Sequence, residues 1–386
     1  MKILVIPSFW PESDMPLKGT FFREQVLALN ERGVRADVVY LETRSLRTLS
    51  MRKVWRNYFQ VTSNHEAGIF IMRQKGWNTN IASAAGGQLY VHLSSRLVKR
   101  YIEKQGCPDL IHAHNFLRAG CVADHVKRKF GIPYVVTEHS SDFLSGSVPQ
   151  HSLPHIREAY QNADKVVAVS EGLALKVKEL LGEKTVAVIP NMVDTDFFSL
   201  RPNTPQPDKF VFLAIASLDT NKGLDILIRA FAKGFSGCAE TYLNIAGEGP
   251  QSGYLRELAK TLGVHNQVRF LGHLSREEVR SALWSANVLV LASLHETFGV
   301  VLIEALSTGL PVIATRSGGP ESIVTPEVGM LVGAGDAEEL CSAMQRMRQE
   351  VFSNFVTRNY ALNLFSRTVV TKLLIDTYRE VFGKTV

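Results

Sequence analysis

Short runs of β-branched residues alternate with helical patterns along almost the whole chain, and nothing else in the sequence restricts the fold as tightly. Residues 2–6 (KILVI), 36–41 (ADVVYL), 109–112 (DLIH), 133–137 (PYVVT), 165–169 (KVVAV) and 185–189 (TVAVI) read as strands. Segments between them, such as 20–32 and 171–182, carry apolar residues at helical spacing. Alternation of this kind implies parallel sheets covered on both faces by helices. At residues 198–209, SLRPNTPQPDKF, three prolines and several polar residues interrupt both patterns, which marks an interdomain linker. The alternation then restarts at 210–216 (FVFLAIA), 241–246 (TYLNIA), 267–271 (QVRFL), 287–291 (NVLVL) and 311–314 (PVIA), with helical patterns at 222–233, 275–285 and 299–308.

The expected layout is therefore two doubly wound, Rossmann-like α/β domains. The first covers 1–198, a linker 199–209 and the second 210–366, and a last helix over 367–386 packs back toward the first domain. A length of 386 residues and a hydrophobic share of 45% supply material for two cores. In such sheets ligands sit outside the carboxyl ends of strands, where loops meet helix N-termini, and with two domains the natural place is the cleft they share. The four cysteines (Cys107, Cys121, Cys238, Cys341) are scattered without ligand-like spacing, which fits a reducing compartment. The opening MKILVIPSFW is too short for a signal segment, and no apolar window approaches the roughly 20 residues that span a bilayer. The expectation is a soluble, cytoplasmic protein.

Polar motifs gather at the expected strand ends. The densest is 293–305, SLHETFGVVLIEA. A helix starting near Phe298 or Gly299 leaves its first amides free for an anion, with Glu296 just before it and Glu304 inside it. The neighbours of Glu304 make that helix apolar nearly all round, so a buried carboxylate is expected, satisfied by a ribose diol, an arginine or backbone groups. In 215–231, IASLDTNKGLDILIRAF, Lys222-Gly223 opens an amphipathic helix. A lysine at a helix start opposes the dipole and becomes sensible beside an anionic ligand; a solvated lysine next to a turn glycine explains the pattern equally well. Gly247-Glu248-Gly249-Pro250 is a tight turn after a strand. His139, in Thr137-Glu138-His139-Ser140, ends a strand and is placed to meet a sugar hydroxyl or a backbone carbonyl. Pro16-Leu17-Lys18-Gly19-Thr20 leads into a helix, with Gly19 permitting close approach to the backbone and Thr20 as an ordinary N-cap.

In this order the pieces resemble the retaining nucleotide-sugar glycosyltransferases of family four, which have the GT-B fold. The most specific part is Glu296-x7-Glu304 within HETFGVVLIEALSTGLPVIAT, followed by Gly318-Gly319-Pro320-Glu321. The resemblance implies a hexosyltransferase with a donor-binding second domain and an acceptor-side first domain. Lys222 and Gly223, with Ser217 nearby, would hold the donor diphosphate. Thr297, Phe298, Gly299 and Val300 would contact phosphate and sugar, Glu296 the transferred sugar's hydroxyls, and Glu304 the ribose. Gly247, Glu248 and Gly249 would lie beside the nucleotide, and His139 would line the sugar. Glu296 and His139 are the expected catalytic residues, with Gly19 and Thr20 on the acceptor side. Donor and acceptor would be a UDP- or GDP-sugar and a glycan or lipid-linked molecule, as in polysaccharide or glycolipid synthesis. No cofactor and no metal is expected. One position departs from the family: an arginine usually stands five residues before the lysine, and here it is Ser217. Arg316 is the candidate substitute. Asp194-x-Asp196 looks like a metal-binding DxD but lies far along the chain from the donor motifs, and His112-Ala113-His114 alone does not make a metal site.

A formal charge of +6 admits anionic partners. Two stretches are basic and apolar together: 44–58, with Arg44, Arg47, Arg52, Lys53 and Arg56, and 96–104, with Arg96, Lys99, Arg100 and Lys104 beside Leu97, Val98 and Tyr101. Both are expected to dock on an anionic membrane surface at the inner face of the plasma membrane. A nucleotide-sugar 2-epimerase of similar fold is the competing enzyme class. Nucleic-acid binding lacks any matching sequence signature.

Overall fold

The computed structural model describes residues 1–11, 19–45, 60–78, 83–201 and 209–383. They divide into two compact units: Met1–Val169 with Leu173–Pro190 and the chain from Val370 onward, and Ser170–Gly172 with Asn191–Val369. Residues 202–208, the proline-rich part of the expected linker, and 46–59, most of the first basic stretch, lie outside the described residues, as do Pro16, Leu17 and Lys18.

The first unit is built on β1 (Lys2–Ile6), α1 (Thr20–Glu31), β2 (Arg35–Ser45), β3 (Val61–Glu66), β4 (Ile69–Asn78), α2 (Ala84–Gln105), β5 (Leu110–His114), α3 (Cys121–Phe130), β6 (Tyr134–Glu138), α4 (Asp142–Ser145), α5 (Leu153–Asn162), β7 (Lys165–Ala168), α6 (Glu171–Leu181) and β8 (Val186–Val188). Its sheet runs β3-β4-β2-β1-β5-β6-β7-β8. Past Lys2, strand β1 is a buried apolar run, and β5, which also carries His112 and His114, is buried throughout, because both faces are covered as a parallel sheet requires. The order reverses between β1 and β5, so their carboxyl ends frame a crevice.

One edge departs from the expected all-parallel sheet. Strand β3 pairs antiparallel with β4, through Ala67 at φ 48° and Gly68 at φ 82°. Two successive positive φ values make the primed turn that suits strand twist. Ala-Gly is a weak signal for that turn, and β3 itself is polar and almost entirely exposed, so neither periodicity nor propensity announces it.

The second unit holds β9 (Phe210–Ile215), α7 (Leu224–Phe235), β10 (Thr241–Ala246), α8 (Ser252–Thr261), β11 (Val268–Gly272), α9 (Arg276–Trp284), β12 (Val288–Leu291), α10 (Val300–Ser307), β13 (Val312–Arg316), β14 (Gly329–Gly333), α11 (Ala337–Gln349) and α12 (Asn354–Phe365). Its six strands, all parallel, run β11-β10-β9-β12-β13-β14, the Rossmann order with its reversal between β9 and β12. Helix α7 buries Leu224, Leu227, Ile228, Phe231 and Phe235, a single stripe at helical spacing. Phe231 and Phe235 meet Phe212 of β9 at ring separations of 6.4 and 5.3 Å. Side chains at both ends fix the helix limits: Ser275 and Glu278 close a capping box on α9, and Asp336 accepts from the amides of Glu338 and Glu339 at the start of α11.

Residues 191–198 fall in the second unit, although the sequence reading ends the first domain at 198. The amide of Val193 donates to Phe365 O at 2.8 Å. Asp194, of the Asp194-x-Asp196 motif, pairs with Arg367 at 2.9 Å and Arg276 at 3.4 Å. Phe198 is buried, and its carbonyl accepts from Ser307 Oγ at 2.7 Å.

The last helix, α13 (Arg367–Gly383), contributes its part from Val370 onward to the first unit. There Tyr378 is fully buried, with its hydroxyl 2.7 Å from His112 Nδ1, while His112 Nε2 meets Thr137 Oγ1 at 2.7 Å. Tyr378→Phe leaves that imidazole nitrogen buried without a partner, which costs about 1–3 kcal/mol. Urea unfolding should register the loss, and an unchanged midpoint would mean that the bond contributes nothing.

Candidate functional site

In the second unit the functional side chains emerge where β9 and β12 end, at the reversal of strand order. After β9 the chain passes Ser217 and Asp219, then a single 3-10 turn, Thr220–Lys222, and reaches Gly223 in the left-handed region ahead of α7. Lys222 therefore precedes the helix instead of opening it, which corrects the sequence expectation. Asp219 organises the turn: its carboxylate accepts from Ser217 Oγ at 2.5 Å and from the Asn221 amide at 3.0 Å. Asn221 then fastens the turn to the loop after β12. Its side-chain amide donates to His295 O at 2.9 Å, its Oδ1 accepts from His295 N at 3.1 Å, and its carbonyl accepts from Leu294 N at 2.7 Å. A Cβ on Gly223 would lie 2.2 Å from Ala292 O, so glycine is required for the two segments to meet.

That contact brings Lys222 Nζ to 2.8 Å from Glu296 Oε2, with the two side chains 23% and 15% exposed. Ser293 Oγ adds a longer bond to the same oxygen, 3.3 Å. The backbone of Glu296 is pinned on both sides, its amide to Ser317 O at 3.0 Å and its carbonyl to Gly319 N at 2.7 Å. Gly319 passes so close to Thr297 and Phe298 that a Cβ would fall 2.3 Å from the backbone. Glu321 accepts from Gly318 N at 3.0 Å. Phe298 is buried, Gly299 takes φ 93°, and α10 starts at Val300 with first-turn amides that the helix itself does not use. Gly247 and Gly249 lie against Ala216 and Leu218, where a Cβ would be 1.8 and 2.5 Å from their carbonyl oxygens. Leu218 N donates to Glu248 O at 2.9 Å, so this turn and the Ser217 segment form one piece.

Two expectations are corrected here. Helix α10 is not apolar on every side toward a closed core: the face carrying Val300, Val301 and Glu304 is half-open, while Ser307 and Thr308 are buried. Glu304 is thus a half-buried carboxylate a little over one turn into the helix. Arg316, the suggested substitute for the missing arginine, pairs with Glu339 at 3.5 Å, and both side chains are largely exposed.

In the first unit the corresponding crevice lies at the ends of β1 and β5. Ser8 Oγ donates to His114 O at 2.6 Å, and Asn115 Nδ2 donates to Ser8 Oγ at 3.0 Å. Asn115 Oδ1 accepts from the His139 amide at 2.8 Å, with Asn115 itself at φ 71°. The His139 ring, expected to meet a sugar or a carbonyl, instead places Nε2 3.0 Å from His114 Nδ1. Phe22 packs on both imidazoles, at centroid distances of 4.5 and 5.3 Å. Beneath them Glu138 is completely buried and accepts from the amides of Phe116, His139 and Ser140 at 2.7–2.9 Å. Gly19 occupies the cap position of α1 at φ 80°, 2.9 Å (as a Cβ) from Phe9 O, and Thr20 is the first helical residue instead of the N-cap.

Residues 18–197 match the family model described as Glycosyltransferase Family 4, and residues 196–350 match that described as Glycosyl transferases group 1. The chain belongs to glycosyltransferase family 4. A glycogen synthase of Mycobacterium tuberculosis is 27% identical over 272 residues, which is 68% of this chain and 65% of that protein. The chain thus spans 65% of the length of that relative. The putative teichuronic acid biosynthesis glycosyltransferase TuaC of Bacillus subtilis is 27% identical over 371 residues, 91% of this chain and 90% of its own. Among solved structures, HepE of Anabaena in complex with UDP superposes with a TM-score of 0.74 at 21% identity, covering 98% of this chain and 100% of its own, which shows a shared GT-B fold.

For this family-4 chain the structure brings Ser217, Lys222, Gly223, Gly247, Glu248, Gly249, Glu296, Thr297, Phe298, Gly299, Val300 and Glu304 onto one side of the second unit's sheet, at its carboxyl end. His139, Gly19 and Thr20 belong to the first unit. The sequence reading overlooked Ser8 and Asn115, gave Glu138 no role beyond its place in Thr137–Ser140, and weighed His112-Ala113-His114 at a strand end only as a metal motif; among the described residues there is no group of His, Cys, Asp or Glu placed to hold a metal ion. The apolar members of the second basic stretch, Leu97, Val98 and Tyr101, point into the core of the first unit, so this stretch of α2 presents the charges of Arg96, Lys99, Arg100, Glu103 and Lys104.

Burial lowers the imidazole pKa of His112 and His139 from 6.5 to about 3 and that of His114 well below 6.5. All three are neutral in the fold. The unfolded chain binds their protons near pH 6.5, so stability falls as pH drops from there toward 3. Glu138 acts oppositely: burial pushes it up to about 7, and its contribution, complete below 4.5, is lost as pH rises through 7. Three imidazoles outweigh one carboxyl, and the net effect between pH 7 and 5 is acid destabilisation. His114→Gln removes one of the three protons and should flatten the stability–pH slope by up to about 1.4 kcal/mol per pH unit. Denaturant melts at pH 5, 6 and 7 measure this; an identical slope in the variant would mean that His114 is protonated in the fold.

Proposed function

We propose that the protein transfers a hexose, with retention of anomeric configuration, from a nucleotide-sugar to a glycan or lipid-linked acceptor. The reading is supported above all by the Lys222–Glu296 pair, held at the strand-order reversal by a turn whose glycines admit no side chain. A Rossmann unit receives a nucleotide's phosphates at this end of its sheet, and the related fold of HepE was solved in complex with UDP. In this reading a donor diphosphate draws Lys222 from Glu296 and takes the first-turn amides of α10 as further partners. Glu296, released, accepts hydrogen bonds from hydroxyls of the sugar, and Glu304 accepts from the ribose. The departing charge is met by one lysine and by backbone dipoles, without a metal ion, since Ser217 adds one hydroxyl where the family usually has an arginine. The acceptor hydroxyl attacks the face from which the diphosphate leaves, and a phosphate oxygen takes its proton.

The test is thermal stabilisation by UDP-, GDP- and ADP-sugars, with and without EDTA, on the wild type, Lys222→Ala and Glu304→Ala. A donor at a hundred times its dissociation constant adds about 2.7 kcal/mol. The expected result is a shift with one nucleotide class, indifferent to EDTA and lost in both variants. No shift with any donor would overturn the reading.

For location we propose the cytoplasm, at an anionic membrane. Among the described residues no helix is long and apolar enough to cross a bilayer. The exposed cations of α2 support attraction by charge alone, which salt screens. Co-sedimentation with phosphatidylglycerol vesicles should occur at low salt and vanish at physiological ionic strength; no binding at low salt would remove this part.

A further inference from the structure

A cavity of about 520 Å³ opens entirely within the first unit, between the start of α2, the middle of α3 and the start of α5. Its volume is that of a small-molecule site. The family-4 roles discussed above use none of its walls. It is nevertheless next door to the histidine pair: the chain that leaves β5 puts His114 and Asn115 on one side, and two residues later Leu117 and Arg118 line the cavity. Asn115 and Arg118 both hold positive φ, 71° and 75°, an uncommon conformation for residues with side chains, and such strain gathers where a ligand is met.

The charges facing the cavity decide its chemistry. Two carboxylates reach it, Asp124 of α3 and Glu158 of α5, and both are already occupied by Arg128, Asp124 at 2.8 Å and Glu158 by a short ion pair. Asp124 also accepts from Asn162 Nδ2 at 2.8 Å. The remaining polar groups include the guanidinium of Arg118, whose contact is the face of Tyr90 at 5.9 Å, and four imidazoles, His92, His125, His151 and His155, that make no hydrogen bond among the described residues. Arg128 answers one charge of the two acids and Arg118 balances the other, so the cavity is near neutral overall, with the Arg118 guanidinium outside any ion pair among the described residues and several N–H donors of open capacity. Val91, Leu117 and Pro149 supply apolar surface between them. One guanidinium outside the ion pairs, with imidazole N–H donors around a small apolar floor, suits a sugar ring that carries an acidic group.

We infer that this cavity is a subsite for an acidic saccharide, a unit of the acceptor glycan, bound through Arg118 and the four histidines. The identification of the ligand as part of the acceptor rests on the transferase reading; the binding itself does not. Gly87 lines the cavity from α2, and a Cβ added there meets nothing within 4 Å, so Gly87→Trp starts into open space and is directed at filling the cavity. Arg118→Gly removes the cation and relieves the positive φ.

Histidine Cε1–H resonances of the full chain, followed by NMR, are titrated with glucuronate, glucose 1-phosphate, glucose and inorganic phosphate. The expected result is saturable shifts at His92, His125, His151 and His155 with glucuronate, at least tenfold weaker with glucose, and weakened at least tenfold in both variants. Glucose 1-phosphate binding more tightly than glucuronate would support the site with phosphate as the acidic group. Inorganic phosphate alone matching the sugars, glucose matching glucuronate, or shifts restricted to His112, His114 and His139 would each overturn it. Melting temperatures of the two variants confirm folding. Nucleotide-sugar stabilisation, run in parallel, separates the readings: its absence in the wild type removes the transferase proposal and leaves the subsite standing, whereas its presence without the histidine shifts does the reverse.

Discussion

The half-buried ion pair between Lys222 and Glu296 is the constraint around which the second unit's loops are arranged. Two unit charges with little access to water are costly unless each has a partner. The loops after β9, β12 and β13 contribute to keeping this pair together. Asp219 shapes the turn that aims the lysine, Asn221 fastens that turn to residues 294–295, and Ser317 and Gly319 hold the glutamate's backbone from the loop after β13. Glycine at 223 and 319 follows from the same requirement, because the segments approach to distances that exclude a Cβ. A pair so fixed on its backbone but free at its side chains can exchange partners without rearranging the fold. That is the property required of a site where an anion must arrive and leave.

The first unit solves a different problem with neutral groups. His114 and His139 cannot both donate across their shared 3.0 Å contact, so one ring accepts and the other gives its proton. Whichever tautomers are adopted, one N–H and one lone pair remain at His114 Nε2 and His139 Nδ1, both buried without a partner. Glu138 holds the backbone beneath them through three amides, and Asn115 ties the two strand ends together. The arrangement resists protonation and stays chemically mild. It suits orienting hydroxyl groups better than supplying a charged acid.

Much of this was legible in the sequence, for identifiable reasons. Strands with both faces covered, such as 288–291, appear as unbroken apolar runs, and helix α7 shows its stripe at Leu224, Leu227, Ile228 and Phe231. The hairpin of β3 and β4 was illegible because β3 is an exposed polar edge and its turn is Ala-Gly. The donor-side motif was readable as a motif, but the partner of Lys222 was not: 74 residues separate it from Glu296, and they meet through the parallel pairing of β9 with β12 and the bonds of Asn221 to residues 294–295. Glu304 was misjudged for a related reason. Composition gives the polarity of a helix, while the openness of one face depends on what the rest of the chain leaves uncovered.

The treatment of arginine shows where such reading stops. Position 217 lacks the family's guanidinium, and Arg316 lies only one residue from Ser317, whose carbonyl holds Glu296. The Arg316 guanidinium pairs with Glu339 of α11, whereas the contact at 317 is made by a backbone carbonyl just past the end of β13. Arg316 thus serves a surface pair, and Lys222 keeps Glu296 as its ion-pair partner. Position 217 carries a hydroxyl bonded to Asp219 in place of a guanidinium, so its polar contact helps to fix the turn that precedes Lys222. Rigid geometry, with glycine at 223 and 319, is what the loops of this sheet end supply around that lysine.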